Sequence, residues 1–227
     1  MGARGHGQAK TSVTMLFPAD PIIREEEGLG HNQPDLAVTY LAFATAAAAR
    51  EQKFIVAVVP QPADGGGPAP TVELLRGEDF LGVRVRSAQH ITDVYLNLRA
   101  DGRRMHFNSN HTIEGWETDA YLLALTRPAP SATATPENVT RYFVSAGSYL
   151  RRDGQVVLHA VSKANAIFTA GQPGEPGAKM EVLIEGQKRI AATLFNPGKP
   201  AALSVNGKAA LFEHRPKERT IRFRHAS

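Results

Sequence analysis

The segment from His106 to Asp119 holds the densest set of reactive side chains in the chain: His106, Asn108, Asn110, His111, Glu114, Trp116, Glu117 and Asp119. An indole face stacks on the C–H groups of a sugar ring while amides and carboxylates bond its hydroxyls. Contact with a sugar is therefore expected through Asn108, Asn110, His111, Glu114 and Trp116. The same types could serve a β-elimination, with His106 or His111 as base and Asn108 or Asn110 as the group that neutralises the adjacent carboxyl. The plainer alternative is an Asx-rich turn from Asn108 to Gly115, with Trp116 filling the core, since such residues dominate ordinary turns. Exposure of Trp116 distinguishes the two.

No spacing among His106, His111, Glu114 and Asp119 matches a zinc or calcium pattern, so no metal site is expected. The chain has no cysteine, which excludes disulfides, thiolate metal ligands and a cysteine nucleophile. Gly65 to Gly67 lacks the Lys-Ser/Thr of a phosphate loop, no nucleophile elbow is present, and no nucleic-acid module is recognisable. No cofactor and no nucleic-acid partner are expected.

The formal charge is +4, but acidic residues predominate up to Asn138 and basic ones from Val139 onward. A basic C-terminal part favours an anionic partner. Arg151 and Arg152 beside the Asp153-Gly154 turn are added to the expected ligand contacts. Arg222 and Arg224 alternate with Ile221 and Phe223, which puts both arginines on one face of a strand. That face would suit an anionic glycan, or would protect an edge strand from aggregation.

These residues need a scaffold, and the pattern of the chain predicts one made of strands. Short β-branched and aromatic runs recur between turn signals every 8–12 residues or so, whereas helical spacing is scarce. Strands are expected at Thr11–Phe17, Ile22–Arg24, Leu36–Thr45, Lys53–Val59, Phe80–Arg86, Ile91–Arg99 and Thr118–Thr126. Others are expected at Tyr142–Ser145, Val156–Ser162, Ile167–Ala170, Met180–Glu185 and Thr220–Arg224, with one helical turn at Ala46–Ala49. Asp101-Gly102, Asp153-Gly154 and Asn206-Gly207 suit the positive φ angles of two-residue hairpin turns. The fold class is all-β, an antiparallel β-sandwich with a smaller terminal β subdomain. The expected division is a main region over Thr11–Thr126, a Pro-, Ala- and Thr-rich linker over Arg127–Asn138, and a basic region over Val139–Ser227. No apolar run reaches the roughly 18 residues of a membrane span.

Three phrases carry a resemblance: the run Phe54 to Pro60 after Tyr40 to Thr45, the run Val144 to Gly154 followed by Val156 to Ser162, and the turn from Val205 to Lys208. Together they resemble the C-terminal β-sandwich of heparinase II/III-like polysaccharide lyases. The resemblance implies a part of an enzyme that cleaves uronic-acid polysaccharides by β-elimination, with an anionic polysaccharide and a helical toroid domain or subunit as partners. It also implies a secreted or periplasmic setting, although Met1 to Lys10 has no apolar signal core. The family's base and acid lie largely in the toroid and earlier sheets, and none maps onto a residue of this sequence. The chain alone is therefore expected to be non-catalytic. The alternatives are an autonomous carbohydrate-binding or structural module and a reduced lyase built around His111.

Overall fold

The computed structural model describes residues 9–30, 33–46, 52–62, 67–99, 111–131, 133–170, 179–186 and 189–226. Every regular element among them is a β-strand. The all-β expectation holds, and the chain divides into two compact units, one ending at Ala69 and one beginning at Pro70.

The first unit contains β1 (Ala9–Phe17), β2 (Ile22–Gly30), β3 (Gln33–Ala44) and β4 (Ile55–Pro62). They form two antiparallel ribbons, β1 with β4 and β2 with β3. The strand expected at Ile22–Arg24 is longer in the structure, where β2 continues to Gly30. Glu25, Glu26 and Glu27 are all exposed, so this ribbon tolerates three consecutive charges that a core-facing strand would reject. The expected helical turn at Ala46–Ala49 lies, after Ala46, outside the described residues, as does the whole Asp101-Gly102 turn.

The second unit begins with β5 (Thr71–Arg76), β6 (Phe80–Arg86), β7 (His90–Asn97), β8 (His111–Ile113), β9 (Trp116–Thr118) and β10 (Leu122–Pro128). It continues through β11 (Arg141–Arg152), β12 (Gln155–Thr169), β13 (Lys179–Glu185), β14 (Arg189–Phe195), β15 (Ala202–Val205), β16 (Lys208–Ala210), β17 (Phe212–Arg215) and β18 (Thr220–Ala226). One layer runs β5-β6-β7-β10-β11-β12-β13-β15-β16, and the other runs β8-β9-β11-β12-β14-β18-β17. The layers share the long β11–β12 hairpin. Residues 141–144 and 165–169 of the hairpin belong to the first layer, while β9 and β14 pair with its tip. This is a β-sandwich whose two sheets are joined through one bent pair of strands. Among the described residues all pairings are antiparallel except β13 with β15, which are parallel.

Period-2 alternation decides which face is buried. In β13, Met180, Val182 and Ile184 point inward while Lys179, Glu181, Leu183 and Glu185 are exposed. In β18, Ile221 and Phe223 are buried and Arg222 and Arg224 exposed, as their spacing predicts. β18 lies between β14 and β17, so it is not the protected edge strand that was the alternative. One hydrophobic core joins Tyr95, Leu125, Tyr142, Phe168 and Val182 of the first layer with Trp116, Leu158, Leu194, Ile221 and Phe223 of the second.

The sequence read Val156–Ser162 and Ile167–Ala170 as separate strands and gave β11 only Tyr142–Ser145. The structure makes each of them part of one long strand. The interruption in the pattern marks a bend: register shifts occur between Val144 and Tyr149, and Ala146 takes φ 52°. Side chains fix this bulge from both sides. Asn165 Oδ1 accepts hydrogen bonds from Ser145 Oγ at 3.0 Å and Ala146 N at 2.9 Å. Asp119 accepts from Ser148 N and Ser148 Oγ, both at 2.7 Å. At the apex, a Cβ on Gly147 would stand 2.7 Å from Val144 Cγ1 and 2.9 Å from Ala120 Cβ. Gly147→Ala is accordingly expected to lower stability by about 1–3 kcal/mol, the usual cost of overpacking, in urea-unfolding curves.

The segment 127–138, expected to be a linker, instead joins two neighbours within one layer, since β10 and β11 pair directly from Leu122↔Ser145 to Thr126↔Arg141. Several of its described residues are held by side-chain hydrogen bonds. Arg127 is fully buried, its Nη1 donates to Asp93 Oδ2 at 2.6 Å, and its Nε donates to the Ser131 carbonyl at 3.2 Å. Asn138 Oδ1 accepts from Thr135 N at 2.9 Å, and its Nδ2 donates to Thr133 O at 2.8 Å. Pro, Ala and Thr content resembles that of a linker, but it carries no information on the single buried arginine that anchors the segment.

Candidate functional site

His106, Asn108 and Asn110 lie outside the described residues. The remaining sequence-predicted site residues fall on the β8–β9 hairpin and on the tip of the β11–β12 hairpin that pairs with it. Glu114 and Gly115 form the two-residue turn between β8 and β9, with φ 51° and 82°. Those angles match the turn at Asp153-Gly154, with φ 50° and 76°, and the one at Asn206-Gly207, with φ 51° and 78°. The two Asp-Gly and Asn-Gly hairpins were legible in the sequence. Glu114-Gly115 was not, because Glu is an unusual first residue for positive φ.

Trp116 is 0% exposed. Its ring meets Tyr142 edge-on at 6.2 Å between centroids, and Tyr142 in turn stacks on Phe168 at 4.9 Å. Burial pushes the Tyr142 phenol well above its ordinary value, and its hydroxyl donates to Pro136 O at 3.3 Å. The Arg152 guanidinium lies over the indole at 5.4 Å from the ring centroid. Its Nη1 donates to the Glu114 carbonyl at 2.9 Å, and a Cβ on Gly115 would stand 3.2 Å from its Nη2. Arg152 thus seals the tryptophan and closes the β8–β9 turn at once. The face that would stack on a sugar is occupied by protein.

Arg151 is tied to the same hairpin. Its Nη2 donates to Glu117 Oε2 at 2.7 Å, and its guanidinium lies 5.5 Å from the Tyr149 ring centroid. The two arginines expected to meet a ligand therefore clamp β8–β9 onto β11. His111 is 6% exposed, with Nδ1 3.5 Å from Asp79 Oδ2, and Asp79 Oδ1 accepts from Arg99 Nε at 2.6 Å. A base for elimination must reach a substrate carbon acid, and a histidine so enclosed does not present its ring to one. Among the site residues described, Glu114 alone is exposed. Among the described residues no three His, Asp or Glu side chains converge as a metal would require.

A buried charge cluster that sequence reasoning missed sits between β6, β7 and β10. Asp93 is 1% exposed. It accepts from Arg84 Nε at 2.6 Å, Arg84 Nη2 at 3.1 Å, Arg127 Nη1 at 2.6 Å and Tyr95 Oη at 3.4 Å. Burial works to raise the Asp93 carboxyl, but the hydrogen bonds and charges of Arg84 and Arg127 outweigh it and hold the group below its ordinary value. The same bond raises Arg84, while burial, helped by the Asp93 charge, raises Tyr95. With Asp93 saturated by protein donors, the cluster is chemically a structural tie and not a reactive site. Its sequence trace is the inward position of Asp93, between Ile91 and Tyr95 on the buried face of β7.

None of the described residues forms a helix long and apolar enough to cross a membrane. No family model and no curated protein matches this chain.

Proposed function

We propose that this chain is a supporting β-sandwich of a heparinase II/III-like polysaccharide lyase system, acting beside a catalytic toroid and performing no elimination by itself. The observation that carries this reading is the complete burial of Trp116, in contact with Tyr142 and Arg152. The residue combination best suited to sugar chemistry is consumed in holding two hairpins together, which is scaffold work. Two of the three phrases that resemble the family support the same reading; the first does not, since Tyr40 to Ala44 lies on β3, which pairs with β2, and Ile55 to Pro60 on β4, which pairs with β1. Val144 to Gly154 forms the bulge and turn that bend one sheet into the other, and Val205 to Lys208 forms the β15–β16 turn. They are architectural positions, fitting a resemblance in architecture.

Two measurements test the proposal. Incubation of the chain with alginate, heparan sulfate and hyaluronan is expected to give no rise in the ultraviolet absorbance of the unsaturated product. A protein-dependent rise would transfer the chemistry to this chain. Added to a heparinase-type toroid deprived of its own sandwich, the chain is expected to raise the toroid's turnover or melting temperature. A toroid unaffected in both respects would sink the supporting role and leave an autonomous module.

A further inference from the structure

The first layer carries apolar residues on both of its faces. Ala124 of β10 lies between the buried Leu123 and Leu125 and therefore points outward. On one side it stands opposite Val94, which is followed across the sheet by Val83 and Leu74. On the other it stands opposite Phe143, followed by Ile167 and Leu183. Directly opposed residues share one face of a sheet, so one unbroken apolar row crosses the seven strands from β5 to β13. Leu183 is 55% exposed, and the rest of the row is partly exposed. The half beyond Ala124 is concave, with Phe143, Ile167 and Leu183 lining an open groove of about 570 Å³.

An antiparallel sheet with one face in water alternates apolar and polar residues, whereas apolar residues on both faces mark a sheet covered on both sides. Two features select a second copy of this chain as the cover. The first is the symmetry of the row, in which the small Ala124 stands at the centre with three strands and three larger apolar residues on either side. A two-fold axis along β10 lays Ala124 on itself, Val94 on Phe143, Val83 on Ile167 and Leu74 on Leu183 of the second copy, so that each unlike contact is made twice. The second is charge. The neighbouring row of the same face runs through Leu96, Leu122 and Ser145 and ends in Arg76 on β5 and Glu185 on β13, both exposed. The same axis lays Arg76 on Glu185 of the second copy at both ends. Seven strands about 4.8 Å apart and three rows about 7 Å apart give roughly 600 Å² per copy, or roughly 1,200 Å² in all, which reaches the size of a specific interface.

We infer that the outer face of the first layer is the interface of a two-fold homodimer, closed by the apolar row and framed by two Arg76–Glu185 pairs. An apolar centre with a charged rim is the usual anatomy of a protein interface. The inference goes beyond the supporting role and does not depend on it.

Sedimentation equilibrium of the full chain over a concentration series is expected to show monomer and dimer in exchange, the dimer at twice the 24.5 kDa of one chain. Val94→Glu puts a charge near the centre of the interface and is expected to weaken association about tenfold or more. Val161→Glu, at a position 81% exposed on β12, is expected to leave association unchanged. Arg76→Glu and Glu185→Arg each set two pairs of like charges against one another and are expected to weaken association about fivefold. An equimolar mixture of those two variants brings opposite charges together at both ends and is expected to restore association to the wild-type level. Matching thermal melts establish that the variants are folded, and the charge variants carry the test should Val94→Glu melt early. A chain that stays monomeric, equal effects of Val94→Glu and Val161→Glu, or a mixture that recovers nothing would each overturn the assignment. So would a monomer that binds a heparinase-type toroid through Val94, which would give the face to that partner.

Discussion

Asp93→Ala is expected to destabilise the second unit by about 3–5 kcal/mol in urea unfolding, because it takes the shared carboxylate from two guanidinium groups, one of them fully buried. Arg127 is 0% exposed, and its Nη1 donates to Asp93 Oδ2 at 2.6 Å. Removing the carboxylate deprives that guanidinium of a short charge-assisted bond inside the protein. Arg84 loses the same partner but is partly exposed, so water recovers some of its loss. Asp93→Asn separates charge from shape, keeping an acceptor while removing the negative charge.

The pH dependence follows from the sign of the shift. The folded carboxyl lies below its unfolded value, so the stability it contributes is fully present above the unfolded value of about 3.9. That contribution is lost as pH falls below this value and through the folded one. The wild-type urea midpoint should therefore fall on acidification across this window, and the Asp93→Asn variant should show a shallower acid limb. Parallel acid limbs in the two proteins would show that Asp93 is not held by its arginines in solution.

Trp116→Ala is expected to cost about 3–5 kcal/mol, the range for truncating a fully buried aromatic to a methyl. The substitution empties the space between Tyr142 and Arg152 and loosens a hairpin whose turn Arg152 closes. Trp116 is the sole tryptophan of the chain, so its fluorescence reports this site without interference. Emission should be blue-shifted, protected from iodide, and unchanged by saturating oligosaccharide. A solvent-exposed emission maximum that shifts on adding sugar would return the indole to ligand contact and remove the main support for a scaffold role.

The local features of this fold were readable wherever a short-range rule applies. Ile221-Arg222-Phe223-Arg224 alternates in the structure as it alternates in sequence, because side chains of a strand point to opposite faces regardless of what lies beyond. Asp153-Gly154 and Asn206-Gly207 make hairpins because positive φ is a property of the residues themselves. The long β11 and β12 were not readable, because their continuity depends on a bulge fixed by Asn165 and Asp119, both distant in sequence from the backbone they hold. Arg127 misled for the same reason: a basic residue beside prolines suggests a solvated linker until Asp93 is found beneath it.

The candidate site divides in the same way. Residue types from His106 to Asp119 established which chemistry was available, since an indole, imidazoles and carboxylates permit only certain interactions. Tertiary packing decided how they are used. It turned Trp116 inward against Tyr142, placed Arg152 over it, and paired Arg151 with Glu117. The sequence by itself determined an all-β chain with its hairpin turns and alternating faces, for those follow from backbone sterics within a few residues. Which polar groups are buried and which converge on solvent was decided only by strand order and register, because both set contacts between residues far apart along the chain.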